Sequence, residues 1–107
     1  QESRGLGDVY KRQSEFKDFN ESIQAALHFA KKNKNTLVVV TGDHETGGLA
    51  ISGGKIENNK IKTIFSTTGH TAIMIPVFSY GPHSEEFKGI YDNTQIFHKF
   101  KKSLAFD

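Results

Sequence analysis

Two short strings in this 107-residue sequence carry side chains able to grip a metal ion. One is the Asp43-His44 pair inside TLVVVTGDHETGG (Thr36–Gly48); the other is His70 inside TTGHT (Thr67–Thr71). A carboxylate oxygen and an imidazole nitrogen together suit a borderline metal such as zinc. Spacing alone leaves a second reading open, in which Asp43 caps the following turn and His44 donates to a nearby carbonyl. His70 has the same ambiguity, as a ligand or as a structural histidine at the entrance to an apolar strand. Glu45 reads as a residue that caps the turn or orients a neighbour. His28 and His98 read as solvated, and His83 as part of a surface loop.

These residues need elements to hold them. The apolar run Leu37–Val40 delivers the Asp-His pair into a glycine-rich turn, as suits a strand buried on both faces of a parallel sheet. In open α/β sheets ligands sit beyond the carboxyl ends of strands, where Asp43 and His44 fall. Gly42, Gly47 and Gly48 are expected to let the chain bend there. Upstream, Phe16, Phe19, Ile23, Ala26, Leu27 and Ala30 recur at helical spacing, with Lys31, Lys32 and Lys34 at the C-terminal end. Downstream, Leu49–Ser52 and Ile61–Phe65 read as strands, with Gly53-Gly54 and Asn58-Asn59 as turn signals. Thr71–Tyr80 is a longer apolar stretch that Pro76 must bend, bulge or confine to an edge. A last helix is expected after Asp92 or Asn93, with Ile96, Phe97, Phe100 and Leu104 inward and Lys99, Lys101 and Lys102 outward.

TGDHETGG followed by TTGHT resembles the C-terminal part of alkaline phosphatases of the bacterial type. SEFKDFNESIQAALHFAKKNKNTLVVV before the pair and HTAIMIPVFSYGP after Gly69 extend the resemblance from about Ser14 to Lys102. It implies an α/β fold in which this chain forms the C-terminal portion of a three-layer α/β/α sheet. It also implies two zinc ions and one magnesium. Asp43 and His44 would bind the zinc that contacts a phosphorylated serine, and His70 the zinc that activates water. The reaction implied is two-step hydrolysis of a phosphomonoester through a phosphoserine. None of Ser22, Ser52, Ser66, Ser79, Ser84 and Ser103 matches the family's nucleophile, so that serine, the remaining zinc ligands and the magnesium ligands are expected upstream. The segment alone is therefore expected to be inactive. The resemblance further implies a homodimer for the full-length protein and a periplasmic or secreted location. The short Ser52–Lys62 connection leaves little room for the large inserted domain of animal relatives. Two alternatives remain open: a superfamily hydrolase such as a phosphodiesterase or sulfatase, and a non-catalytic metal-binding module.

Composition narrows the rest. The first 13 residues differ in character, and RGLGDVYKRQ resembles translated adapter sequence, so 1–13 are read as a lead-in and 14–107 as the domain portion. The chain has 14 basic and 12 acidic residues. Without Arg4, Lys11, Arg12, Glu2 and Asp8, 11 and 10 remain. A body so close to neutral gives no footprint for nucleic acid. There is no cysteine, which excludes disulfides and thiolate metal sites. No apolar run approaches the roughly 20 residues of a membrane span.

Overall fold

The computed structural model of the chain describes residues 6–105, with side chains from Ser14 onward. Among the described residues there are two α-helices and six strands, which fall into two units. The first unit holds the chain up to Thr41 and from Val77 onward; the second is Gly42–Pro76.

In the first unit, α1 (Leu6–Lys32) carries the anticipated stripe, and its C-terminal half is the buried part. Ile23, Ala26 and Leu27 are half-buried and Ala30 is 2% exposed, whereas Phe16 and Phe19 face solvent. Of the expected lead-in, residues 1–5 lie outside the described residues, and 6–13 form the first turns of this continuous helix. A short polar link leads into β1 (Val38–Thr41), against which α1 lies.

β1 departs from expectation. It is half-exposed throughout and pairs antiparallel with β6 (Val77–Tyr80), Val38 opposite Tyr80 and Thr41 opposite Val77. Burial on both faces needs layers packed above and below the sheet, whereas among the described residues α1 lies against β1 and β6 is its single partner strand. Of the long apolar stretch only Val77–Tyr80 and its first residue, Thr71, lie in strands; residues 72–76 are irregular, and Pro76, which lacks a ladder donor, stands immediately before β6. Gly81 then turns the chain at φ +106°, where a β-carbon would collide with the Thr36 carbonyl.

A 3-10 turn at Ser84–Phe87 and α2 (Gln95–Ser103) close this unit. Phe87, 3% exposed, meets the Phe100 ring edge to face at 5.0 Å. Asp92 Oδ1 accepts from the Thr94 backbone N–H and hydroxyl, an Asx turn that starts the helix from just outside it. Phe97 and Leu104 are exposed rather than inward. Lys99 is half-buried, its ammonium 4.1 Å from the Tyr91 ring centroid and donating to the Glu86 carbonyl.

The second unit consists of two hairpin-like ladders. β3 (Leu49–Lys55) pairs antiparallel with β4 (Lys60–Phe65), and a bulge lies between Ile51 and Gly53. Gly53 and Gly54 therefore lie within a strand and not in a turn; the reversal comes at Ile56–Asn59, with Asn59 left-handed at φ 49°. β2 (Glu45–Thr46) pairs antiparallel with β5 (His70–Thr71), Glu45 opposite Thr71 and Thr46 opposite His70. This two-residue ladder positions the candidate site.

Candidate metal centre

Side chains alternate along a strand, so a two-residue ladder still has two distinct faces. His44, Thr46 and His70 come together on one of them. Thr46 Oγ1 lies 3.2 Å from His44 Nδ1, and the His44 and His70 rings stack with centroids 3.5 Å apart at 23°. Glu45 and Thr71 come together on the other, where the Thr71 hydroxyl donates to Glu45 Oε2. The antiparallel register thus brings His70, 26 residues along the chain from His44, directly beside it.

Behind the pair the chain turns at Gly47 and Gly48, both buried with positive φ, +91° and +56°. Gly47 donates its N–H to the Gly69 carbonyl, and its own carbonyl accepts from Ser66 and Thr67. Gly42 does not share this geometry. Its φ is not positive, and a β-carbon there would make only ordinary contact with Ile75 and the His44 carbonyl.

Asp43 and His44 divide their polar atoms between two tasks. Asp43 Oδ1 accepts from the His44 backbone N–H at 3.0 Å, so the carboxylate does cap its own turn. His44 Nδ1 lies 3.2 Å from the Glu45 carbonyl. Nδ1 thus sits within reach of both the Glu45 carbonyl and the Thr46 hydroxyl, on the side of the ring away from Nε2. The remaining atoms, Asp43 Oδ2 and His44 Nε2, face each other at 3.4 Å. The capping reading and the ligand reading are therefore compatible, because they use different atoms.

That separation bears on metal binding. Tetrahedral ligands at zinc's usual bond lengths stand about 3.4 Å apart. The donor types suit zinc and the Asp43–His44 spacing fits one edge of such a site. Among the described residues, however, no three His, Cys, Asp or Glu side chains converge closely enough to hold an ion. The residues present supply part of a donor set.

Glu45 has no place among these donors. Its carboxylate accepts from the Gly48 N–H at 3.0 Å, the Leu49 N–H at 3.2 Å and the Thr71 hydroxyl. The Thr71 bond foremost, then the two backbone bonds and the neighbouring His44, hold its pKa below the ordinary carboxylate value despite some desolvation. Thr46 and Thr71 escaped sequence reasoning; the available signal was their nearness to the histidines, Thr46 two residues after His44 and Thr71 directly after His70. His28, His83 and His98 are exposed and stand apart from the centre in sequence and ladder, His98 against the Phe97 ring.

The sequence model of the alkaline phosphatase family matches residues 4–62 and 55–106, the two stretches changing over at the tip of the β3–β4 hairpin. Alkaline phosphatase 3 of Bacillus subtilis (strain 168) is 28% identical over 94% of this chain and 37% of its own length. That alignment runs over 170 positions, more than the 107 residues here, so the relative carries additional residues within the aligned span. The solved structure of alkaline phosphatase from the Antarctic bacterium TAB5 superposes with a TM-score of 0.79 at 49% identity. It covers 88% of this chain and 29% of that one. A variant of the TAB5 enzyme with magnesium bound in its M3 site gives 0.78 at 48% identity, over 88% and 30%. The chain thus spans between 21% and 37% of the length of the relatives it matches, and has the α/β fold of the corresponding part. Matched along nearly its whole length, the chain belongs to the alkaline phosphatase family.

Proposed function

We propose that this chain is part of a larger phosphomonoesterase, in which Asp43 and His44 hold one zinc ion and His70 helps hold a second. The remaining ligands, the nucleophilic serine and the magnesium ligands then come from residues outside these 107. Family membership supports hydrolysis of phosphate esters, and the magnesium in the TAB5 variant supports a metal requirement. The observation that carries the residue assignment is the 3.4 Å between Asp43 Oδ2 and His44 Nε2, with the His70 ring stacked alongside.

Bound zinc supplies a Lewis acid that stabilises charge on phosphoryl oxygens and acidifies water towards a pKa of roughly 7. The chain's own residues hold and orient. The Glu45 carbonyl and Thr46 hydroxyl hold the His44 ring at Nδ1, so Nε2 is the nitrogen that would face an ion. Asp43 keeps one oxygen on the turn and offers the other. Neither residue is asked to move a proton. With three ligands divided over two metals, these 107 residues alone are inactive.

The test uses the full-length protein. Hydrolysis of p-nitrophenyl phosphate should exceed that of bis-p-nitrophenyl phosphate and of a sulfate ester. His44→Ala and His70→Ala should each lose bound zinc, measured by atomic emission, together with activity. Preference for the diester or sulfate ester would transfer the chain to another hydrolase class. Full zinc in both variants would remove the metal assignment. Phosphatase activity from the isolated 107-residue chain that His44→Ala abolishes would refute its inactivity.

A further inference from the structure

Glu45 is the most heavily engaged carboxylate of the second unit, yet it is no part of the proposed donor set. Two of its three hydrogen bonds, to the Gly48 and Leu49 N–H groups, tie down the turn that follows the Asp-His pair. A turn cap would need no more than these. The third reaches across the ladder to Thr71, 26 residues on, next to His70. It lies on the face opposite the histidines, so it fixes the spacing of the two segments without competing for the ion.

Such a fastening matters because β2 and β5 are two residues each. A ladder that short specifies its register weakly, and a slip of one residue turns every side chain to the other face. His70 would then leave His44 and point to the side now held by Glu45 and Thr71. The backbone bond from Gly47 to Gly69 continues the same register, so loss of the side-chain bond loosens the pairing without abolishing it.

Resting on the reading of Asp43, His44 and His70 as zinc ligands, we propose that Glu45 and Thr71 are positioning residues. Their carboxylate–hydroxyl bond holds the Asp43-His44 turn in register with the His70 strand and so sets the relation between ligands of the two zinc sites. Neither touches metal or substrate. Outer partners that orient metal ligands typically affect affinity by about 10–100-fold.

The experiment is a zinc competition against a chromogenic chelator, performed on the full-length protein. The variants are Glu45→Ala, Glu45→Gln, Thr71→Val, Thr71→Ser, the Glu45→Ala/Thr71→Val double and His44→Ala. Glu45→Ala and Thr71→Val should each weaken zinc retention about 10–100-fold. Thr71→Ser, which keeps the hydroxyl, should bind like the native protein, and Glu45→Gln, which keeps one acceptor oxygen, should fall between native and alanine. The double variant should be no weaker than the weaker single one, because both remove the same bond. Native zinc affinity in Thr71→Val, or equal weakening by Thr71→Ser and Thr71→Val, would overturn the proposal. If His44→Ala loses zinc while Glu45→Ala does not, the fastening alone fails and the metal reading stands. If His44→Ala binds zinc normally, the metal reading falls and the fastening with it.

Discussion

At Gly48 the backbone stands at φ +56°, and a β-carbon there would run into the Ser66 hydroxyl, which itself donates to the Gly48 carbonyl. Gly48→Ala should therefore destabilise the full-length protein by about 1–3 kcal/mol, combining left-handed strain with a displaced hydrogen bond. Gly42→Ala meets only ordinary contacts and should change stability by no more than about 0.5 kcal/mol. Urea unfolding of the two variants checks the contrast, and equal losses would refute it. In the sequence the three glycines of this turn look alike, because φ is a property of the folded path and not of the residue type. The proposed ligands Asp43, His44 and His70 stand out in the sequence for a different reason. An Asp-His pair at the end of an apolar run leaves a capping role open, but TGDHETGG with TTGHT is a distinctive pair of strings. Which atoms engage the turn, Oδ1 and Nδ1, and which are left facing each other, Oδ2 and Nε2, depends on rotamers that no string contains.

Elements were legible in proportion to their length. Helical periodicity reveals α2 and α1 from Phe16 onward, while residues 6–13 of α1 read as a lead-in, and strand patterning reveals β4. β2 and β5 have two residues each, too few to show any period, yet they bring the histidines together. The pairing of β1 with β6 joins residues about 40 positions apart, and nothing local encodes it. Two predictions belong to this scale. Phe87 is buried and wedged against Phe100 where the Ser84–Phe87 turn meets α2, so Phe87→Ala should cost about 3–5 kcal/mol in urea unfolding of the full-length protein. A loss below 1 kcal/mol would mean that this contact is not part of a packed core. The β3–β4 hairpin should behave oppositely. Its tip at Ile56–Asn59 is exposed, the family match changes over there, and the Bacillus relative carries extra residues within the aligned span. Lengthening a loop costs little, about 0.6 kcal/mol for each doubling. A 12-residue Gly/Ser insertion after Asn58 should leave zinc content and phosphatase activity of the full-length protein within about twofold, whereas loss of bound zinc would show that the hairpin tip supports the centre.

For the molecule as a whole, the decisive quantity is how much apolar surface these 107 residues remove from water. Ordering each residue costs roughly 1–2 kcal/mol of backbone entropy, and burial of apolar side chains is the main offset. Among the described residues only Ala30 and Phe87 are buried hydrophobics. Ile56, Ile90, Met74, Phe16, Ile51 and Ile61 are left largely exposed, Ile56 to 95%. Single exposed apolar residues are ordinary, but an array of this extent marks surface meant to be covered. β1 makes the same point, an apolar strand held by one partner where its composition suits burial on both faces. A strand with one partner strand among the described residues is also a template for association with other chains. The isolated 107-residue chain should therefore show no cooperative heat-capacity peak, bind an apolar dye such as ANS strongly, and self-associate at micromolar concentration. The full-length protein should give a sharp transition and little dye binding. Calorimetry and light scattering on both proteins decide the matter. A monomeric isolated chain with a sharp transition would mean that its two units stabilise themselves, and the expectation that β1 needs further strands would be wrong. Zinc added to the isolated chain supplies a second arm. Three ligands shared between two sites should leave the melting profile unchanged, and a stoichiometric zinc-dependent transition would instead favour a self-sufficient metal-binding module.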